Sequence, residues 1–267
     1  MSAARPPAPA PHTRSRLVSI SSRVRHSHKL QSLFRTIVGV ETDQRLIALT
    51  FDDGPDPQWT PAVMETLARL GAKGTFFVLG RNVESHPGLV RQLLADGHAI
   101  GNHTFSHSCL AHHGPGHVVR ELGACHRAIK QATGQSVWLM RPPFGAQTID
   151  TFLTAHLLGY RTIHWSASAH DWLGEPARVL ADRVLAAAGP GAIVLMHDGW
   201  QPPPDGSVPG NAATLADRTA TIEALPLIIE PLSRDGYRFV TVPELLAAGS
   251  PRRKRWFWAD PVPTAQG

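Results

Sequence analysis

The sequence predicts an α/β fold with a single barrel-like domain, and three observations point to it. From Arg45 onward, short apolar runs alternate with segments of helical periodicity. Seven such runs fall within about two hundred residues. Each run after the first is preceded by a helix, the connection that a parallel sheet requires. So many β/α units in so short a stretch favour a barrel over an open sheet, a choice that periodicity alone does not make.

The first run, residues 46–51, reads as a buried strand. It stops at Asp52-Asp53 and then at Gly54-Pro55, which cannot continue a strand. Thr60-Pro61 starts a helix, with Val63, Met64, Leu67 and Leu70 on one face and Gly71 as its end. Residues 75–79 form the second strand. Leu89, Val90, Leu93 and Leu94 mark a helix closed by Gly97, and the strand 98–101 follows. A longer helix over 118–131 turns Val119, Leu122, Ala128 and Ile129 inward, and Gly134 separates it from the strand 137–140. The helix 149–158 feeds the strand 160–165, and the helix 177–188 precedes the strand 191–196. A Pro/Gly-rich loop, 199–211, leads to a helix over 216–233, the strand 237–241 and a short helix over 243–248.

With 267 residues, 42% of them hydrophobic, the chain buries one sizeable core. The net charge of +5 comes largely from the ends, including Arg252-Arg253-Lys254-Arg255. Basic tails on a near-neutral core read as solvated extensions, with only weak attraction to anionic surfaces, and nucleic-acid binding is the poorest hypothesis. Cys109 and Cys125 do not make a disulfide framework; a single bridge and two reduced thiols both remain open. Residues 1–30 lack the continuous apolar segment of a secretory signal. No stretch approaches the roughly 18–20 apolar residues of a membrane span.

The unusual residues follow the strands. Asp52-Asp53 end the first, His103 and His107 follow the third, and Arg141-Pro142-Pro143-Phe144-Gly145 follows the fourth. Asp171-Trp172 follows the fifth and His197-Asp198 the sixth. All lie on the face where β/α barrels place active sites. His103 and His107, four apart, would point the same way from one helical turn and grip one ion. Joined by Asp53, they supply two nitrogens and a carboxylate and leave coordination positions open. Zinc suits that catalytic set best. Non-haem iron oxygenases use the same ligands, but on all-β scaffolds that this pattern contradicts.

TFDDGP, HTFSH, RPPFG, Asp171-Trp172 and Leu195-Met196-His197 resemble, in order, the five motifs of the polysaccharide deacetylases, carbohydrate esterase family 4. The similarity spans roughly residues 46–246 and implies a distorted (β/α)7 barrel. It divides the chain into a disordered or peripheral extension (1–40), a catalytic domain (41–249) and a basic, aromatic tail (250–267) whose Trp256, Phe257 and Trp258 pack on the outside.

The resemblance also implies roles. Asp53, His103 and His107 would hold zinc, with cobalt or another divalent transition metal as alternatives. Asp52 would be the general base, oriented by Arg141, and Phe144 would offer a backbone N–H to the oxyanion. His197 would protonate the leaving amine, tuned by Asp171, while Trp172 and Leu195 line the acetyl pocket. The implied reaction is N-deacetylation of a chitin-like or peptidoglycan glycan. An O-acetyl esterase of the xylan type, a non-sugar amidase and a catalytically silent carbohydrate-binding protein are the alternatives. Such a glycan substrate implies the cell envelope or exterior, against the absence of a recognisable signal; without one, a cytoplasmic location stays open. Many relatives carry an Asp where this chain has Ser168. His98, His112, His113, His117, His126 and His164 read as surface or packing residues, and His170, beside Asp171, reads either as another of these or as a substrate neighbour. Asp198 reads equally as a partner of the site or a turn residue.

Overall fold

The computed structural model describes residues 35–202 and 212–256. Strand β1 (Thr36–Glu41) precedes β2 (Leu46–Asp52), helix α1 (Trp59–Arg69) and β3 (Gly74–Val78). Helices α2 (Gly80–Ser85) and α3 (Pro87–Ala95) lead to β4 (Ala99–Asn102), and α4 (Pro115–Thr133) leads to β5 (Leu139–Met140). Helix α5 (Ile149–Leu157) is followed by β6 (Arg161–Thr162), β7 (Ala167–Ser168), α6 (Ala177–Ala187) and β8 (Ala192–His197). Then come α7 (Ala212–Ala216), α8 (Thr219–Arg234), β9 (Arg238–Phe239), α9 (Val242–Ala247) and β10 (Ser250–Lys254).

The parallel ladder runs β8-β2-β3-β4-β5-β6, and the segment that leaves β6 returns as β7 to pair with β8. The sheet thereby curls round on itself as a distorted barrel. The seven expected strands correspond to β2, β3, β4, β5, β6, β8 and β9, and three more appear. β7 is the continuation of β6 after the chain switches partner. β1 lies antiparallel to β8 through Gly39 and bridges Ile163 through Ile37, filling the gap between β8 and β6. β10 pairs antiparallel with β1 along its whole length.

The extension and the tail expected at the two ends are therefore corrected at residues 36–40 and 250–254, which belong to the sheet. β1 is buried from Thr36 to Val40, whereas β10, SPRRK, has no apolar alternation to betray it. Residues 1–34 and 257–267, with Phe257 and Trp258, lie outside the described residues, as does most of the 199–211 loop.

Alternation along the strands divides the interior. Ile47, Leu49 and Phe51 face the helices with Phe76, Val78, Val194 and Met196. Leu46 and Ala48 face a second cluster with Phe77, Leu139, Ile163, Ile193, Val242 and Leu245 inside the barrel. That inner parity continues to Thr50 and Asp52 on β2, to Leu195 and His197 on β8, and past Leu139 to Arg141. Apolar side chains thus fill one end of the barrel, and polar ones crown it at the C-terminal ends of the strands.

Two local expectations change, and one open alternative closes. Val118, not Val119, faces inward on α4; Val119 is 45% exposed while Val118, Leu122, Cys125, Ala128 and Ile129 are buried. The helix expected from residue 216 begins at Thr219, because Asp217 turns to accept the Thr219 N–H (2.8 Å) and Arg218 turns inward. Cys109 and Cys125 are both buried and free, so no bridge joins them.

Candidate active site

Asp52, the last residue of β2, points into the barrel mouth. Asp53 leaves the sheet with φ 79°, a left-handed turn that brings the second carboxylate back beside the first. Two consecutive side chains, which a strand would send to opposite faces, therefore share one site. The turn is fastened on both sides. Asn82 Nδ2 donates to the Asp53 carbonyl oxygen (2.9 Å), and the Asp198 carboxylate fills the space where any residue but glycine at position 54 would place a Cβ, 2.3 Å from Asp198 Oδ2.

His103 and His107 converge, but not from a helical turn. The segment is an irregular loop with Thr104 at φ 73° and His107 at φ 63°. Asn102 Oδ1 accepts the Thr104 N–H (2.9 Å), and Glu121 on α4 accepts the N–H groups of Phe105 (3.0 Å) and Ser106 (2.9 Å). The two rings lie 5.3 Å apart, with Nε2 of His107 3.2 Å and Nε2 of His103 3.5 Å from Asp53 Oδ1.

These residues fit a metal ion. Asp53 Oδ1 is buried without a protein hydrogen-bond partner, which leaves a lone pair that a cation would satisfy. His103 Nδ1 donates to the Arg141 carbonyl oxygen (2.8 Å), so its Nε2 is free to ligate, the usual arrangement behind a metal-binding imidazole. Ligands about 2.1 Å from a tetrahedral zinc stand about 3.4 Å apart, close to the spacings seen here. Burial pushes His107 down to about 4, so the ring is neutral at neutral pH. Burial alone would raise Asp53, but His107, His103 and His197 outweigh it and hold the carboxyl below the usual range. Among the described residues, no other set of three or more His, Cys, Asp or Glu side chains brings its donor atoms together in this way.

Two charged pairs flank the cluster. The first is Arg141 with Asp52, Nη1 to Oδ1 at 2.7 Å. Arg141 is wholly buried, and its other bonds go to Thr50 Oγ1 (2.8 Å) and the carbonyls of Ile163 (3.1 Å) and His164 (3.1 Å). Its guanidinium also lies 4.2 Å from the Phe77 ring centroid. Asp52 Oδ2 remains on the side of the cluster, 3.8 Å from His103 Nε2.

The second pair is His197 with Asp171, Nδ1 to Oδ1 at 2.7 Å. Asp171 Oδ2 also accepts the His197 backbone N–H (2.8 Å) and the Thr221 hydroxyl (2.9 Å). Burial works against a charged His197, but Asp171, then Asp53 and Asp52, outweigh it and raise its pKa. Asp171 is held low despite its burial, by His197 and Arg218.

Around these groups, Phe144 is 46% exposed, adopts φ 62° and packs its ring 4.6 Å from that of His107. Trp172 meets the His197 ring edge-on at 5.4 Å and stands beside the exposed His170. Leu195 is buried on β8, two residues before His197. Ser168 is the β-partner of Leu195 and accepts the His170 N–H (3.2 Å).

Sequence reasoning missed several supports. The wholly buried Arg218 donates to the Asp171 carbonyl oxygen (3.2 Å), and nothing in its helical context marks it. Thr221 and Glu121 are likewise unremarkable in sequence. Asp198 is buried, accepts from Thr60 Oγ1 (2.6 Å), and is pushed up by burial to about 7. It belongs with the site's supports rather than with exposed turn residues. His98 is a packing residue whose Nδ1 accepts the Gly74 N–H (3.1 Å).

Comparison with known proteins identifies the family. The family model described as polysaccharide deacetylase matches residues 39–163. A chitooligosaccharide deacetylase of Bradyrhizobium sp. is 38% identical over 202 residues, 75% of this chain and 90% of that protein. A peptidoglycan-N-acetylglucosamine deacetylase of Bacillus cereus is 37% identical over 209 residues, 78% and 91% of the two chains. Among solved structures, a peptidoglycan N-acetylglucosamine deacetylase in complex with 4-naphthalen-1-yl-N-oxidanyl-benzamide aligns with a TM-score of 0.70 at 30% identity, covering 80% of this chain and 94% of that one. With relatives this similar matched over most of their length, and with the site built on the same strand ends as the motifs, the chain belongs to the polysaccharide deacetylase family.

Proposed function

We propose that this protein is a metal-dependent hydrolase that removes N-acetyl groups from the sugars of a chitin-like or peptidoglycan glycan. The observation that carries the reading is the pair of charged couples, Arg141–Asp52 and Asp171–His197, beside the Asp53, His103 and His107 donors. Hydrolysis of an amide needs a base for the water and an acid for the amine, and these couples supply one of each. The relatives named above act on N-acetylated sugars by name, which supports the substrate class.

Asp53, His103 and His107 would hold the ion, zinc suiting the donor set best. When bound, such an ion lowers the pKa of water and polarises the acetyl carbonyl. Arg141 occupies Asp52 Oδ1, so Oδ2 is the oxygen that takes the proton from the attacking water. Pro142 and Pro143 carry no N–H, so Phe144 supplies the first backbone donor after Arg141 for the oxyanion. Asp171 holds Nδ1 of His197, which leaves the Nε2 proton for the departing amine; without that proton an amine leaves poorly. Trp172 and Leu195 would shape the apolar pocket for the acetyl methyl group.

A wall polymer as substrate places the work at the cell envelope. No helix among the described residues is long and apolar enough to cross a membrane.

The test is acetate release from chitin oligomers, peptidoglycan, acetylated xylan and an aryl acetate, using metal-stripped protein with and without zinc or cobalt. Metal-dependent acetate from an N-acetyl glycan, lost in Asp52→Ala, is the expected result. Release from xylan or the aryl acetate alone would replace this reading with an esterase. No release from protein shown to hold its metal would replace it with a non-sugar amidase or a glycan-binding role.

A further inference from the structure

The loop that carries Phe144 is braced by a residue from the far end of the chain. Phe144 and Gly145 both adopt φ 62°, two successive left-handed residues. That conformation is unfavourable for a side chain with a Cβ, so Phe144 needs its surroundings to keep it there. At Gly145 a Cβ would also come within 2.6 Å of the Trp165 ring, so the loop is pressed against that indole. Two backbone bonds close the turn from inside, Gly145 N–H to the Pro142 carbonyl (3.0 Å) and Ala146 N–H to that of Pro143 (3.0 Å).

The remaining hold comes from Trp256. β10 pairs with β1 and delivers this residue two positions beyond Lys254, outside the residues matched by the family model. Its indole Nε1–H donates to the Gly145 carbonyl oxygen (3.1 Å), and Gln147 Nε2 donates back to the Trp256 carbonyl oxygen (2.8 Å). The indole stacks on the buried His164 at 4.6 Å and 23°, and meets Trp165 edge-on at 5.0 Å. His164 and Trp165 in turn touch Arg141. The His164 carbonyl accepts from Nη2 (3.1 Å), and the guanidinium carbon is 5.6 Å from the Trp165 ring centroid.

We propose that Trp256 is a positioning residue: its indole N–H fixes the left-handed turn at Phe144-Gly145 and so holds the Phe144 N–H in place for the oxyanion. This rests on the reading of the Phe144 N–H as an oxyanion donor. Because the oxyanion exists only in the transition state, losing the brace lowers kcat and leaves KM alone.

The experiment compares the wild-type chain with Trp256→Phe, which keeps an aromatic plate on His164 but has no N–H, and with Trp256→Leu, which has neither. Chitin-oligomer kinetics, melting temperature and amide hydrogen exchange are measured on all three. In Trp256→Phe, kcat is expected to fall about three- to tenfold, the worth of one net hydrogen bond, with KM within about twofold. Peptides over residues 141–147 exchange faster while the rest of the barrel is unchanged, and Trp256→Leu is further impaired in both respects. Unchanged kcat in Trp256→Phe overturns the proposal. So does a loss that tracks a general rise in exchange and a fall in melting temperature, the pattern of a merely structural residue. If the wild type releases no acetate, the functional reading fails on its own, and exchange still decides this inference: unchanged exchange over 141–147 in Trp256→Phe sinks it.

Discussion

Asp52 and His197 are register partners, the last residues of the adjacent parallel strands β2 and β8. The proposed base and the proposed acid therefore stand side by side on the rim of the barrel. Each is fixed by a partner from elsewhere in the chain, Arg141 for one and Asp171 for the other. One sheet geometry thus sets the spacing between the two proton-transfer groups, and the metal-ligand cluster completes the triangle.

Asp52→Asn tests both halves of the Arg141 pair. The neutral amide cannot take the proton, so acetate release is expected to fall by about 10²–10⁴-fold. The same change leaves the buried Arg141 without its counter-charge, so stability in urea is expected to fall by roughly 2 kcal/mol. Loss of activity with unchanged stability would mean that the ion pair does not support the fold.

The Asp171–His197 pair has a pH signature. The folded pKa of His197 is raised above its unfolded value of about 6.5. Its ion pair therefore stabilises the fold fully below about pH 6.5, and that contribution is lost as pH rises through the folded value. The same deprotonation removes the acid and forms the alkaline limb of kcat/KM. Asp171→Asn is expected to move that limb to lower pH, about tenfold in rate per unit on the alkaline side. A limb that stays put would belong to another group.

His98 predicts an acid sensitivity unconnected with catalysis. Burial, reinforced by Lys73, pushes it down to about 4. The unfolded chain therefore binds a proton that the folded chain refuses, so stability present above about pH 6.5 drains away as pH falls toward 4. His98→Gln keeps an acceptor for the Gly74 N–H but does not titrate. Its urea midpoint is expected to fall less between pH 7 and 4 than that of the wild type; parallel curves would refute the assignment.

Metal removal is read by stability as well as by activity. A ligand that binds only the folded chain stabilises it by about 2.7 kcal/mol at a hundred times its Kd. Zinc added to stripped protein is expected to raise the melting temperature of the wild type and not that of Asp53→Ala or His103→Ala. Equal shifts in all three would place the ion elsewhere.

Much of this site was legible in the chain. The apolar runs 46–51 and 191–196 end at Asp52 and His197, which already places both residues at the C-terminal ends of strands; which strand face they share is decided by the packing of the barrel. The spacing of His103 and His107 announced convergence but not its means. Four residues can be bridged by a helical turn or by a loop with left-handed residues at Thr104 and His107, and only contacts with Asn102 and Glu121 select the loop. Arg218 and Thr221 carried no signal, because their importance lies in what they touch across the fold; Asp198 stood out at a strand end, but only its contact with Thr60 separates a partner of the site from a turn residue.

Local pattern was enough for the β/α order, the strand ends and the residues collected there, since periodicity and chain-breaking residues act over a few positions. Tertiary structure alone decided that β1 and β10 complete the sheet, that Asp53 turns back beside Asp52, and that Trp256 reaches the Phe144 loop. Those facts depend on contacts between residues far apart in the chain, and no local pattern encodes such a partner.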